Sequence, residues 1–534
     1  MLMPISAPHP RGKTTTLEGT LGTSRPVTDE AVLGVDIGTS SSKGVLVSLD
    51  GRLLATATRD HTVERPSPGQ VEMDADLWWS EFVSISRELT GGNDVRVVAV
   101  GVSGMGPCVL LADAEGTTLR QAILYGVDTR AEPQIEALTA RYTEAAIRAR
   151  CGSTLSSQAV GPKLSWLADN EPDVFAKARR LYMPSSWLVH RLTGEYVLDH
   201  HSASQSTPLY DTNANAWHGP WWQDIAPQIA MPRLLWSGEV AGRVHTVAAR
   251  ETGLDEGTPV IAGTIDAWAE AISVDAHNPG DLMLMYGSTM FLVHTVEAML
   301  TAPTLWSTVG VYPGTRNLAG GMATSGFITA WLKDLFGAAD YDELLTAAAR
   351  SGPGAAGLLM LPYFAGERTP IADPQARGVI AGLTLSHTQG DIYRAALESI
   401  ALGVRHNIEA MEEAGARIDR VVAVGGGTQG SVWTQIVSDV TGRAQEVPAH
   451  TIGASYGVAY LAACSVGTPS ISDWNPVAET VQPNDEHVPG YDELYGLYRE
   501  LYPATQRIAH ALSARQLQPS AAGATRAEKG SLRS

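Results

Sequence analysis

Cysteine is scarce: Cys108, Cys151 and Cys464 are the three in 534 residues, far apart and odd in number. That excludes a disulfide frame and a cysteine-rich zinc site, and it suits reduced thiols in a cytoplasmic protein. Long apolar runs are missing too. No stretch approaches the roughly 18 apolar residues needed to span a bilayer, because Asp, Lys or Arg interrupts every candidate. Positive charge is in short supply, with 38 Lys and Arg against 57 Asp and Glu and a formal net charge of −19. Such an acidic chain argues against nucleic acid and anionic membrane as partners. An anionic ligand must then be received locally, by backbone donors and a cation. Residues 1–29 are rich in Pro, Ser, Thr and Gly and contain no apolar segment of the secretory kind, so a disordered N-terminal tail is expected.

What remains is the composition of a globular protein, 44% hydrophobic and 18% charged. The length exceeds what one core supports, so two sizeable domains are expected. The stretch from Ala31 to Ala57 reads as a β-meander: an apolar run ending in Asp36, a Gly38-Thr39-Ser40 turn, a second run, an Asp50-Gly51 turn and a third run. Gly38 admits a ligand close to the backbone, and successive N–H groups of such a turn form a concavity suited to phosphate oxygens. Lys43 adds positive charge, and Asp36 is placed to hold a water of a hydrated Mg²⁺. An ordinary hairpin with a polar turn reads the same way in isolation. The device recurs at Asp281–Val293, with Gly287-Ser288-Thr289 as its turn. Two such turns imply two domains on one plan, each contributing a phosphate-facing hairpin.

Other segments punctuate the chain. Asp74 or Asp76 caps a helix that carries Trp78, Trp79, Phe82 and Ile85 on one face, which reads as core. Val95–Val102 is a buried strand delivering a loop, Ser103–Pro107. Asp128 and Arg130 follow the next strand, and the simplest role for them is to pair with each other. Gly257–Asp266 is a strand delivering a turn and a carboxylate. An Asp there is either a helix cap or a catalytic group. Val421–Gly427 is a strand running into three glycines before the helix Ser431–Asp439, which suits a nucleotide but equally suits tight packing. Gly453–Ala459 is a small-residue helix that could approach the same place. Tyr491, Tyr495, Tyr498 and Tyr502 form a packing stripe on the last helix.

Taken together, Asp36-Ile-Gly-Thr-Ser40, Leu192-Thr-Gly-Glu195, Gly263-Thr-Ile-Asp266, Tyr286-Gly-Ser-Thr289, Gly366-Glu-Arg-Thr-Pro370 and Gly425-Gly-Gly427, with Trp433, Gln435 and Asp439, resemble the FGGY family of carbohydrate kinases, of xylulokinase-like or pentulose-kinase type. The resemblance covers about residues 31 to 505. It implies an α/β fold of two ribonuclease-H-like, actin-like ATPase domains around an inter-domain active-site cleft. The domains expected are 30–275 (sugar, phosphate and catalytic base) and 276–512 (ATP), followed by a polar tail at 513–534. It implies an ATP- and Mg²⁺-dependent kinase of a small sugar, with Asp266 as base and as a second metal contact. Phosphates would lie at Gly38, Thr39, Ser40, Lys43, Gly287, Ser288 and Thr289, and the adenosine at Gly425, Gly426, Gly427 and Gln429. Glu367 and Arg368 are a family hallmark, read here as a structural ion pair. The acceptor pocket is expected at Met105, Gly106, Pro107 and Asp128, beside Asp266.

That pocket departs from the family branch. Xylulokinases typically carry Gln-Met-His-Gly where this chain has Met105-Gly106-Pro107-Cys108, and Trp-Asn-Asp where it has Tyr125-Gly-Val-Asp128, keeping only the Asp. A ketopentose is the expected acceptor, with ketotetroses and polyols as alternatives and D-xylulose accepted poorly or as one of several. An actin- or chaperone-like ATP-driven switch is the more distant alternative, disfavoured by the Asp266 carboxylate and the lack of a long peptide-binding segment. A non-catalytic sugar-binding paralogue would need a broken phosphate turn or a lost base. The assembly to test for is a homodimer.

Overall fold

The computed structural model describes residues 29–93 and 95–517, and the two expected tails therefore lie largely outside the described residues. Two mixed sheets dominate. The first contains β1 (Asp29–Ile37), β2 (Ser41–Ser48), β3 (Leu53–Asp60), β4 (Val95–Gly104), β5 (Val240–Arg243), β6 (Pro259–Ile261) and β7 (Thr264–Ile265), in the order β3-β2-β1-β4-β6-β5, with β7 also on β4. β1, β2 and β3 are the antiparallel meander, while β4 runs parallel to β1 and β6 parallel to β4. β1 is a run of buried residues from Ala31 to Val35, as a strand covered on both faces must be. Helix α1 (Ala75–Gly91) starts where the Asp74 side chain accepts from the Asp76 N–H, and its Trp78, Trp79, Phe82 and Ile85 are buried. Helix α2 (Asp266–Ser273) follows β7.

The second sheet repeats the plan. β8 (Asp281–Tyr286), β9 (Met290–Val296) and β11 (Arg316–Met322) form the meander, with β10 (Trp306–Val309) added outside it. β12 (Arg420–Val424) and β13 (Gln445–Pro448) are the parallel neighbours on the other side of β8, closed by antiparallel β14 (Val477–Val481). Helices α3 (Gly326–Phe336), α4 (Gln389–Glu413) and α5 (Ser431–Thr441) belong to this lobe.

Packing does not follow the division at residues 275 and 276 throughout. Helix α6 (Ala454–Cys464), which lies in the second half of the chain, packs on β1, β4 and α2 of the first lobe. Its backbone comes so near that a Cβ at Gly34 would stand 2.0 Å from the Ser455 carbonyl oxygen, and one at Gly101 2.0 Å from that of Val458. The Tyr456 hydroxyl donates to the Gly51 carbonyl at 2.7 Å. Only the start of this helix reaches the cleft; the rest is core of the first lobe. The last helix, α7 (Val488–Leu517), buries Tyr491, Tyr495 and Tyr498 as a stripe. It extends past the expected start of the polar tail at 513, because Ser513 is buried and accepts from Arg377. Among the described residues no helix is long and apolar enough to cross a membrane. The three cysteines are unpaired.

Candidate active site

Parallel strands deliver the chemistry to one place. Ile37 of β1 and Ile265 of β7 both lie opposite Gly104 of β4, so Gly38, Met105 and Asp266 leave the sheet at neighbouring carboxyl ends, where open α/β sheets receive ligands. Met285 of β8 lies opposite Val424 of β12, which brings the Gly287 turn and the Gly425 loop side by side in the other lobe. Between the lobes is a cleft of about 850 Å³. Asp36, Thr39, Ser40, Lys43, Gly106 and Asp266 line it from one side, and Ser288 and Thr289 from the other.

The first turn is held from beneath. The Gly38 N–H donates to the Ser41 carbonyl at 3.1 Å, and the His61 N–H to that of Ser40 at 3.0 Å. The imidazole of His61 stands 3.0 Å from the Gly38 carbonyl through Nε2 and 3.0 Å from Glu81 Oε2 through Nδ1. Since a carbonyl only accepts, Nε2 carries hydrogen. Ser42 Oγ donates to the same Glu81 oxygen at 2.6 Å. His61 and Glu81 are beyond the reach of motif reasoning, because nothing in their local sequence marks them. The second turn rests on the start of α3: Gly326 N–H donates to the Gly287 carbonyl and Ser325 N–H to that of Ser288, each at 3.0 Å.

Three carboxyl groups converge on the cleft. Asp36 Oδ1 accepts from Ser103 Oγ at 2.8 Å, and burial, with Asp266 and Glu270 nearby, pushes its carboxyl up to about 7. Asp266 opens α2, where its Oδ1 accepts from the Ala267 N–H at 2.7 Å; it is the first helical residue rather than the cap. Burial pushes it up to about 6. Glu270, one turn further along, is pushed up to about 7 by burial and by Asp266, with Lys43 opposing. Sequence reading missed Glu270, although its i, i+4 spacing from Asp266 places both on one helix face. Among the described residues no three acidic, His or Cys side chains converge closely enough to cage a metal ion. Asp36 and Asp266 on the cleft wall fit Mg²⁺, which is usually held by one or two carboxylates, waters and substrate phosphates rather than by an all-protein cage.

Several expected contacts are placed otherwise. Asp128 is buried, with its oxygens taken by Arg130 Nη2 at 2.7 Å, Arg130 Nε at 3.0 Å and the Val71 N–H at 2.7 Å. It is the anchor of an ion pair and does not line this cleft, unlike the acceptor contact expected from the sequence. Met105 and Pro107 are buried as well, leaving Gly106 as the loop residue on the cleft wall. Met105 Sδ accepts from the Thr39 hydroxyl at 3.7 Å. The Glu367–Arg368 ion pair does not form. Glu367 Oε1 accepts from the backbone N–H groups of Ala323 and Arg368, and burial pushes its carboxyl up to about 8. The Arg368 side chain turns into the cleft. Gly425 leads into a short 3₁₀ helix, Gly426–Gln429, outside the walls of this cleft, with Gly427 against Tyr286 and Trp433. The remaining wall, including Gln158, Gln205, Trp268, Trp306 and Phe327, carries no motif.

Residues 31–273 match the N-terminal domain of the FGGY family of carbohydrate kinases and residues 282–466 its C-terminal domain. The chain is 28% identical to the xylulose kinase of Escherichia coli (strain K12) over 486 residues, 88% of this chain and 98% of that protein. It is 31% identical to the glycerol kinase of Alkalilimnicola ehrlichii over 457 residues, 82% of this chain and 90% of that protein. The crystal structure of xylulose kinase from Rhodospirillum rubrum superposes with a TM-score of 0.85 at 32% identity, covering 90% of this chain and all of that one.

Proposed function

The chain belongs to the FGGY family of carbohydrate kinases and is a phosphotransferase acting on a sugar hydroxyl, and from that premise we propose that it is a cytoplasmic, Mg²⁺- and ATP-dependent kinase of a ketopentose, with Asp266 as general base. The observation that carries the proposal is the position of Asp266, at the carboxyl end of a parallel strand and in one cleft with both phosphate-type turns. Backbone N–H groups around Gly38 and Gly287, the hydroxyls of Thr39, Ser40, Ser288 and Thr289, and the Lys43 ammonium receive phosphate oxygens. Arg368 adds a second cation from the opposite lobe. The glycine-rich 3₁₀ turn Gly425–Gln429, next to the Gly287 turn, receives the adenosine. Mg²⁺ held through water at Asp36 and Asp266 would supply charge neutralisation at the phosphates.

A sugar hydroxyl is a poor nucleophile, and phosphoryl transfer has a loose transition state. Positioning and charge therefore account for most of the rate. Asp266 orients the hydroxyl and takes its proton, and the lobes exclude water that would otherwise accept the phosphate. Among acceptors, ketopentoses rank first because the xylulose kinases named above align over nearly their whole length. The glycerol kinase relative keeps polyols as the second reading. The test is ADP formation over a panel of D-xylulose, D-ribulose, D-erythrulose, glycerol and D-gluconate, with the highest kcat/KM expected for a ketopentose. A strong preference for the sugar acid would overturn the acceptor class.

A further inference from the structure

We propose that Gln205 is a specificity-determining residue of the acceptor site, offering its side-chain carbonyl Oε1 to an acceptor hydroxyl, and that His201 is the positioning residue that fixes this orientation. The inference rests on the kinase reading above and deepens it.

Proton accounting gives the orientation. His201 is fully buried, and its Nδ1 lies 2.7 Å from the backbone carbonyl of Val309. A carbonyl oxygen only accepts, so Nδ1 carries hydrogen. Burial holds the ring's pKa down at about 4, so the imidazole is neutral at physiological pH and Nε2 presents a lone pair. Gln205 Nε2 sits 2.8 Å from that lone pair and donates to it. The flipped amide would set oxygen against lone pair. With the nitrogen fixed, Oε1 faces the other way, and among the described residues no donor reaches it. Gln205 lines the cleft, and an acceptor there meets what a polyhydroxylated substrate has in abundance, O–H donors.

Two further contacts place this group beside the reacting end. The His201 ring packs 4.1 Å from the Trp268 ring, and Trp268 lines the cleft two residues after Asp266. Asp199, which caps the short helix His200–Ser204 through the Ser202 N–H, also accepts from the Thr264 hydroxyl at 3.1 Å, on the strand that ends one residue before Asp266. Val309 belongs to the other lobe, and its N–H donates back to Ser204 Oγ at 3.1 Å. The amide of Gln205 is therefore oriented through a contact that exists only while the lobes touch at this point.

The test uses the full-length enzyme and the same five-acceptor panel. Gln205→Met keeps the length of the side chain and removes both polar atoms. It should raise KM for the preferred acceptor by about tenfold or more while KM for ATP stays within twofold, since a site built to bond a hydroxyl loses discrimination with its partner. His201→Leu should raise the same KM, and the double variant should add little to either single one. Should His201→Leu fail to fold, Gln205→Met alone decides. An active wild type with unchanged acceptor KM in Gln205→Met overturns this inference and leaves the ketose assignment standing. A wild type that prefers gluconate overturns the ketose assignment, and the KM shift read with gluconate then supports or overturns the role of Gln205. A wild type idle on all five overturns both.

Discussion

A carboxylate can take a proton only when it has first lost its own, and at Asp266 the surroundings make that loss costly. Burial raises its pKa to about 6, and the same cause raises Asp36 and Glu270 to about 7. Turnover of the free enzyme should therefore rise with pH between about 5 and 7.5, read from kcat/KM against pH. The sign for stability is the reverse. Folded carboxyls with raised pKa bind protons that the unfolded chain has released above about 4, so their contribution is fully present at low pH and is lost as pH climbs to about 7. Asp266→Asn keeps the shape and removes the proton acceptor. It should cost about 10²-fold or more in kcat, with KM values within a few-fold of wild type. Near-normal turnover would remove Asp266 from the mechanism.

At the scale of elements, the turn after β1 depends on a side chain 23 residues further along the chain from Gly38: His61, on the loop beyond β3. Its Nε2 donates to the Gly38 carbonyl and so holds the turn whose Thr39 and Ser40 line the cleft. His61→Gln retains a donor near the Nε2 position, whereas His61→Asn is too short to reach. KM for ATP should rise about tenfold in the Asn variant, the size of one buried hydrogen bond, and stay near wild type in the Gln variant. Equal effects of the two would show that the ring only fills space. The contrast marks what was legible in sequence. The meander, its Gly-Thr-Ser turn and the recurrence at Gly287 are local patterns of turn residues and β-formers, and the strands form where those patterns place them. Asp266 was legible because its motif and its strand end coincide. Glu81 was not, since its partners His61 and Ser42 are distant in sequence, and Gln205 and Glu270 were not, since their near neighbours His201 and Asp266 gain meaning only from Val309 and from the cleft. Arg368 is misleading in sequence, because adjacent opposite charges look like a pair until the backbone takes one of them.

For the whole molecule, the contacts that matter most are between backbones. A Cβ on Gly457 of α6 would stand 1.9 Å from the Ala269 carbonyl oxygen in the helix that opens with Asp266. Gly457→Ala therefore cannot be absorbed by a side-chain adjustment. It should lower stability by about 1–3 kcal/mol or more, measured by urea unfolding, and should reduce kcat through the displaced Asp266 helix. Gly496→Ala, on an exposed position of α7 with open space where its Cβ would go, should be neutral or stabilising by about 0.5–1 kcal/mol. If the two substitutions cost the same, the close approach seen at α6 is not what holds it against α2.

The place of α6 bears on the order in which the chain can mature. Large proteins commonly fold domain by domain as they leave the ribosome, the first domain completing before the second is made. Here the sheet β1–β7 is synthesised early, yet the groove over Gly34 and Gly101 is filled by residues Ala454–Cys464. Until that helix has emerged, the nascent first lobe presents an uncovered apolar sheet face, and its completion waits on nearly the whole of the second.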